Sequence, residues 1–204
     1  MREASWLTRD DPVRMLSFLR RRMSRRKLRL FIGEAYLPIY REWRPLEEGD
    51  ELTTLLSELD RWASGQWTDI PRESALWMFQ AYLVESLGFH FDFARLVWDS
   101  DWVDAHRLSK LAVRDEARRF ADLLRDVAGN PFRLINFAPA WRTVNATLLA
   151  QSMYDSRDFS AMPILADALQ DAGCDDADVM NHCRDPHATH VRGCWVVDLI
   201  LGKA

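Results

Sequence analysis

The sequence is short of the residues that interrupt regular structure. Glycine and proline number eight each in 204 residues, so turns are few and long helices have room to form. Cysteine occurs three times, an odd number that suits a reducing cytoplasm better than a disulfide scaffold, and a cytoplasmic chain is expected. No apolar run approaches the roughly 18 residues of a membrane span, and no membrane association is expected. The opening Met1-Arg2-Glu3-Ala4-Ser5-Trp6 does not have the basic-then-apolar pattern of a secretion signal. Positive charge is not in excess either. The net charge of −4 gives the whole chain no pull toward nucleic acid or an anionic surface.

Three motif absences narrow the chemistry. There is no Gly-x-x-x-x-Gly-Lys phosphate loop, no Gly-x-Gly-x-x-Gly after a strand and no Gly-x-Ser-x-Gly elbow. Nothing in the sequence marks an enzyme, and the first expectation is a non-catalytic helical interaction or accessory module whose partner is another protein or a second copy. Catalytic residues assemble in space rather than along a chain, so that expectation leaves an enzyme open.

What is present is apolar periodicity. Hydrophobic residues make up 48% and charged residues 28%, a globular balance with enough apolar mass for a core. Nine tryptophans sit mostly among apolar neighbours and read as packing residues. Asp11-Pro12 predicts a capped helix to about Met23, and Ser24 a second one toward Tyr40 that Pro38 breaks. Further helices are expected from Asp50 to Gly65 and from Pro71 to Gly88, and a long one over 104–127 with Leu108, Leu111, Phe120, Leu123 and Leu124 inward. The aromatic stretch 89–102 leaves room for a small hairpin. After Gly129-Asn130-Pro131 an irregular arm over 131–141 precedes short helices at about 143–154, 161–172, 176–183 and 190–201. The expected class is all-α: an irregular multi-helix bundle, with 1–128 as a helical domain and 129–204 as a helical segment packed on it in one continuous unit.

Three constellations carry chemistry. All three cysteines and three of the five histidines fall near the C-terminus. Of these, Cys174, His182, His190 and Cys194 form a thiolate and imidazole set of the kind zinc takes. Their spacing has no Cys-x-x-Cys knuckle, and the plain alternative is small buried cysteines with histidines bonded to backbone. The second is the basic run holding Arg21, Arg22, Arg25, Arg26 and Lys27, which would suit phosphates; the plain alternative is a solvated helix face, since Met23, Leu28 and Leu30 keep helical spacing within it. An acidic counterpart, Asp167, Asp171, Asp175, Asp176, Asp178 and Asp185, would attract it within the fold or between subunits. The third is His90, Asp92, Asp99, Asp101, Asp104 and His106, set among aromatics, where helix capping by Asp101 or Asp104 competes with acid–base or metal chemistry.

Two stretches also carry a resemblance. Glu3-Ala4-Ser5-Trp6-Leu7, Asp11-Pro12, Met15-Leu16-Ser17-Phe18-Leu19-Arg20 and Arg26-Lys27-Leu28-Arg29-Leu30-Phe31 form the first. Asn130-Pro131-Phe132-Arg133, Ala138-Pro139-Ala140-Trp141, Leu165-Ala166-Asp167-Ala168-Leu169, Ala172-Gly173-Cys174 and His190-Val191-Arg192-Gly193-Cys194-Trp195-Val196-Val197-Asp198 form the second. Together they resemble a group of uncharacterised proteins of planctomycete bacteria. The Leu165 to Gly173 piece is similar to the short repeat-companion domain of such bacteria, in which a helix with an Ala-Asp pair ends in a glycine turn. Where relatives continue with Cys-Cys-Arg-Arg after Leu-Phe, this chain has Ile32-Gly33-Glu34-Ala35-Tyr36. The resemblance implies a helical fold and a source, and no activity.

Overall fold

The computed structural model describes residues 1–24, 26–28, 30–31, 33–35 and 114–203. Among these residues every element is helical and there is no strand, so the all-α expectation holds. The helices expected over 50–65 and 71–88, the 89–102 stretch and Pro38 lie outside the described residues. Also among the described residues, no helix is long and apolar enough to cross a membrane.

The chain divides into two compact units: Met1–Asp10 with Ala121–Ala204, and Asp11–Phe120. The division falls after Asp10 and inside the helix Arg114–Ala128.

In the second unit, helix α2 (Pro12–Leu19) starts as its sequence requires. Asp11 accepts a hydrogen bond from the Arg14 amide at 3.0 Å, and Pro12 occupies the first turn, where a missing N–H costs nothing. Met15, Leu16 and Leu19 form its buried stripe. Helical turns follow at 26–28, 30–31 and 33–35, with Ser24 accepting from the Lys27 amide at 3.3 Å. Phe31 meets Phe120 edge to face at 6.2 Å, and the Arg119 guanidinium donates to the carbonyls of Glu34 and Ala35.

The first unit holds α1 (Glu3–Thr8), the end of α3 (Arg114–Ala128), and four further helices: α4 (Val144–Ser156), α5 (Met162–Asp171), α6 (Ala177–Arg184) and α7 (Trp195–Leu201). The arm over 131–141 is irregular apart from one 3₁₀ turn, Pro139–Trp141. Each helix has a local reason to start or stop. Thr143 caps α4 through the Ala146 amide, and Asp176 caps α6 through the amides of Asp178 and Val179, both at 3.0 Å. Helix α5 ends at Gly173, with φ +82°, where the Cys174 amide reaches back to the Leu169 carbonyl at 2.9 Å. Helix α7 closes in the same manner at Gly202, the Lys203 amide donating to Asp198.

These helices bury stripes of helical spacing: Ala146, Ala150 and Met153 from α4, Leu165, Ala166 and Leu169 from α5, Val179 and Cys183 from α6, and Val196, Val197 and Ile200 from α7. Helix α5 packs on α4 and α6, and α7 packs on α4 and α6. Two differences from the sequence reading stand out. Helix α1 is not foreseen, because six residues carry too little periodicity to announce it. The last helix begins at Trp195 rather than near 190, because Gly193 at φ +99° breaks the run and Cys194 sits at the cap.

Two arginines hold the N-terminal segment to this unit. Arg125 donates from Nε to the Trp6 carbonyl at 3.0 Å and from a terminal nitrogen to the Arg9 carbonyl at 2.6 Å. It also pairs with Asp122 at 2.7 Å and Asp10 at 3.6 Å. Arg133 bridges Glu3 at 2.6 Å and Asp178 at 2.9 Å, while Asn130 donates to Glu3 at 2.8 Å. Trp6 in this segment is buried.

Gly129 ends α3 with φ +66°, and a Cβ there would stand 3.0 Å from Trp195 Cγ. Both the left-handed backbone and the indole ring exclude a side chain. Gly129→Ala is therefore expected to cost about 2 kcal/mol or more, read as a lower midpoint in thermal or urea unfolding. Gly173→Ala, with open space around its Cβ, is expected to cost less.

Candidate metal centre

Four side chains from four separate segments converge in the first unit. Asp126 comes from the last turn of α3, His182 from α6, His190 from the loop after α6, and Cys194 from the cap of α7. One ligand-type atom of each lies within 4.8 Å of all the others.

Asp126 is at the centre. It is only 2% exposed, on a helix whose neighbouring Leu123, Leu124 and Val127 are core residues. Its Oδ1 lies 3.2 Å from His182 Nε2 and 3.3 Å from His190 Nδ1, and its Oδ2 accepts the Val191 amide at 2.9 Å. His182 Nε2 is also 3.2 Å from Cys194 Sγ. One ring nitrogen thus faces an oxygen and a sulfur at equal range. The two imidazoles meet edge to face at 4.8 Å, and Trp195 packs on His182 at 5.1 Å.

The electrostatics follow from burial and these contacts. Burial opposes the charge on Asp126, but hydrogen bonds and positive charge from His182 and His190 outweigh it and hold the carboxyl below its ordinary value. Cys194 is driven the other way: burial first, then the negative charge of Asp126, push its thiol well above the usual range. Burial likewise pushes the neighbouring core thiol Cys183 up to about 12.

A carboxylate, two imidazoles and a sulfur are donors of the kind zinc binds. For bonds of about 2.0–2.3 Å, neighbouring ligand atoms in a tetrahedron stand about 3.3–3.6 Å apart. The two His–Asp separations and the His–Cys separation fall close to that edge length.

The sequence reading placed Cys174, His182, His190 and Cys194 together. Three of these meet in space. Cys174 stands outside the group, buried at the turn that closes α5, and Asp126 is the fourth member. The basic run forms no comparable centre among the described residues. Arg21 and Arg22 are exposed, but Arg22 folds back onto the Phe18 ring at 4.3 Å and onto the Phe18 carbonyl. Arg26 and Lys27 are half-buried and engaged, and Arg25 lies outside the described residues. Two members of the acidic set pair locally, Asp178 with Arg133 and Asp167 with Arg184. The His90 and Asp92 cluster lies outside the described residues.

No family model, curated protein or solved structure matches this chain.

Since the thiol of Cys183 holds its proton past the ordinary value of 9.0, it adds stability that is full below that pH and lost as pH climbs toward 12. At about pH 8 the native protein is expected to leave Cys183 unalkylated by iodoacetamide, and unfolding in denaturant to expose it to rapid reaction. Peptide mass spectrometry reads both states.

Proposed function

We propose that this chain is a metal-binding protein and that Asp126, His182, His190 and Cys194 hold one zinc ion in a structural role. The observation that carries the reading is the convergence on one point of four donors from segments as far apart as α3 and α7. His182 Nε2 lies 3.2 Å from both Asp126 Oδ1 and Cys194 Sγ, and one cation among them would take all three as ligands once the thiol proton has left. The borderline set of one sulfur, two nitrogens and one oxygen favours zinc over the oxygen-preferring magnesium and calcium.

The role is structural because four protein donors fill a tetrahedron and leave no open position for a substrate. The ion would pin the non-helical stretch between α6 and α7 to the end of α3. It would also deprotonate Cys194 despite the burial that raises its thiol, so binding releases a proton and weakens in acid.

Elemental analysis of the purified protein tests this. One zinc per chain is expected. His182→Ala and Cys194→Ser are expected to weaken zinc binding by about a hundredfold or more, and Cys174→Ala to leave it unchanged. A folded, metal-free protein whose unfolding midpoint moves with neither zinc nor chelator would overturn the reading.

A second role, as a helical interaction module, is supported by the outer face of α4. Val144 and Leu148, one turn apart, are 75% and 64% exposed, and Leu134 in the preceding arm is fully exposed. If this face joins two copies, Leu148→Asp is expected to shift the sedimentation profile toward monomer; an unchanged profile removes self-association through it.

A further inference from the structure

The two oxygens of the Asp126 carboxylate face different partners. Oδ1 lies 3.2 Å from His182 Nε2 and 3.3 Å from His190 Nδ1. Oδ2 accepts the backbone amide of Val191 at 2.9 Å. The side chain is only 1% exposed, so water has little access to either oxygen. The oxygens of an ionised carboxyl group are chemically alike, and here the surroundings alone tell them apart.

Val191 is held in place for this contact. The Cys194 amide donates to the Val191 carbonyl at 2.9 Å, closing a turn through Gly193 at φ +99°. The amide that meets Oδ2 therefore belongs to the same short stretch that supplies His190 and Cys194, two of the four converging side chains.

A carboxylate can hold a metal ion through one oxygen or through two. Zinc in a closed site takes four donors, whereas larger ions accept more and use the second oxygen readily. Turning the Asp126 carboxyl group so that Oδ2 also met an ion would draw Oδ2 off the Val191 amide. A buried N–H left without its acceptor is unfavourable, and a hydrogen bond to a charged oxygen is among the stronger ones to lose.

We propose that Val191 is a specificity-determining residue of the metal centre. Its backbone amide reserves Oδ2, Asp126 gives the ion one oxygen, and the ligand count stops at four, which selects zinc over larger divalent ions such as cadmium. The inference rests on the metal reading. Val191 acts through Asp126 and is a positioning residue.

Replacing the Val191 amide by an ester removes the N–H and keeps every side chain. The full chain is assembled by joining residues 1–182 to a synthetic 183–204 peptide at Cys183, and the all-amide chain made in the same way is the control. Both are loaded with cobalt(II). The near-ultraviolet sulfur-to-cobalt band reports that Cys194 holds the ion. The visible band, intense for four ligands and weak for more, reports the count. The control is expected to show both bands strongly. The ester chain is expected to keep the sulfur band, lose most of the visible one and favour cadmium over zinc about tenfold more than the control does. Equal weakening of both ions with an unchanged visible band overturns the proposal, as does a weak visible band in the control beside a strong sulfur band. Absence of the sulfur band from the control overturns the metal reading itself. The Val191 amide proton of the unaltered, zinc-loaded protein reads the same hydrogen bond: it is expected downfield and slow to exchange. Fast exchange there overturns the proposal even should the ester chain fail to fold.

Discussion

A carboxylate removed from water needs compensation, and Asp126 finds it in two imidazoles and one backbone amide. Much of the surrounding structure follows from this requirement. The loop between α6 and α7 makes few helical bonds of its own, yet it must bring His190 and the Val191 amide to the carboxylate and Cys194 to His182. Gly193 at φ +99° allows the chain to turn there before α7 starts. On the other side, Gly129 lets Trp195 lie against the end of α3, and the same indole packs on His182. Backbone, ring and charge therefore constrain one another around a single oxygen pair.

The helical scaffold beneath this centre is held by local chemistry. Asp11, Thr143 and Asp176 satisfy open amides at helix starts, while Gly173 and Gly202 take left-handed turns at helix ends. Between these signals the apolar stripes of α4 to α7 form one core. Arg125 and Arg133 add a different kind of constraint, binding the first ten residues to a region more than a hundred positions away in the chain.

Much of the described fold was legible because caps and periodicity act over a few residues. The helices at 144–156, 162–171 and 177–184 lie within about two residues of the spans expected at about 143–154, 161–172 and 176–183. The start of α7 was not, because the apolar run from Cys194 onward hides that Gly193 stops helix before it. The candidate site was legible in part. His182, His190 and Cys194 stood out as rare residue types close together in sequence. Asp126 did not: it is one acidic residue among many, on a helix otherwise explained by Phe120, Leu123 and Leu124. Its only local signal is its position at the flank of that apolar stripe, where a carboxylate must find a partner. Cys174 misled for the opposite reason, being near in sequence but placed by the end of α5 on another part of the core.

The span between Asp126 and its partners also bears on the order of folding. Helices α4 to α7 are neighbours in sequence, so their contacts close short loops and form early. The Asp126–His190 contact closes 64 residues, and its entropic cost is recovered only once the helices between are in place. The centre is thus expected to assemble after the C-terminal helices, closing only when they already stand in their native arrangement.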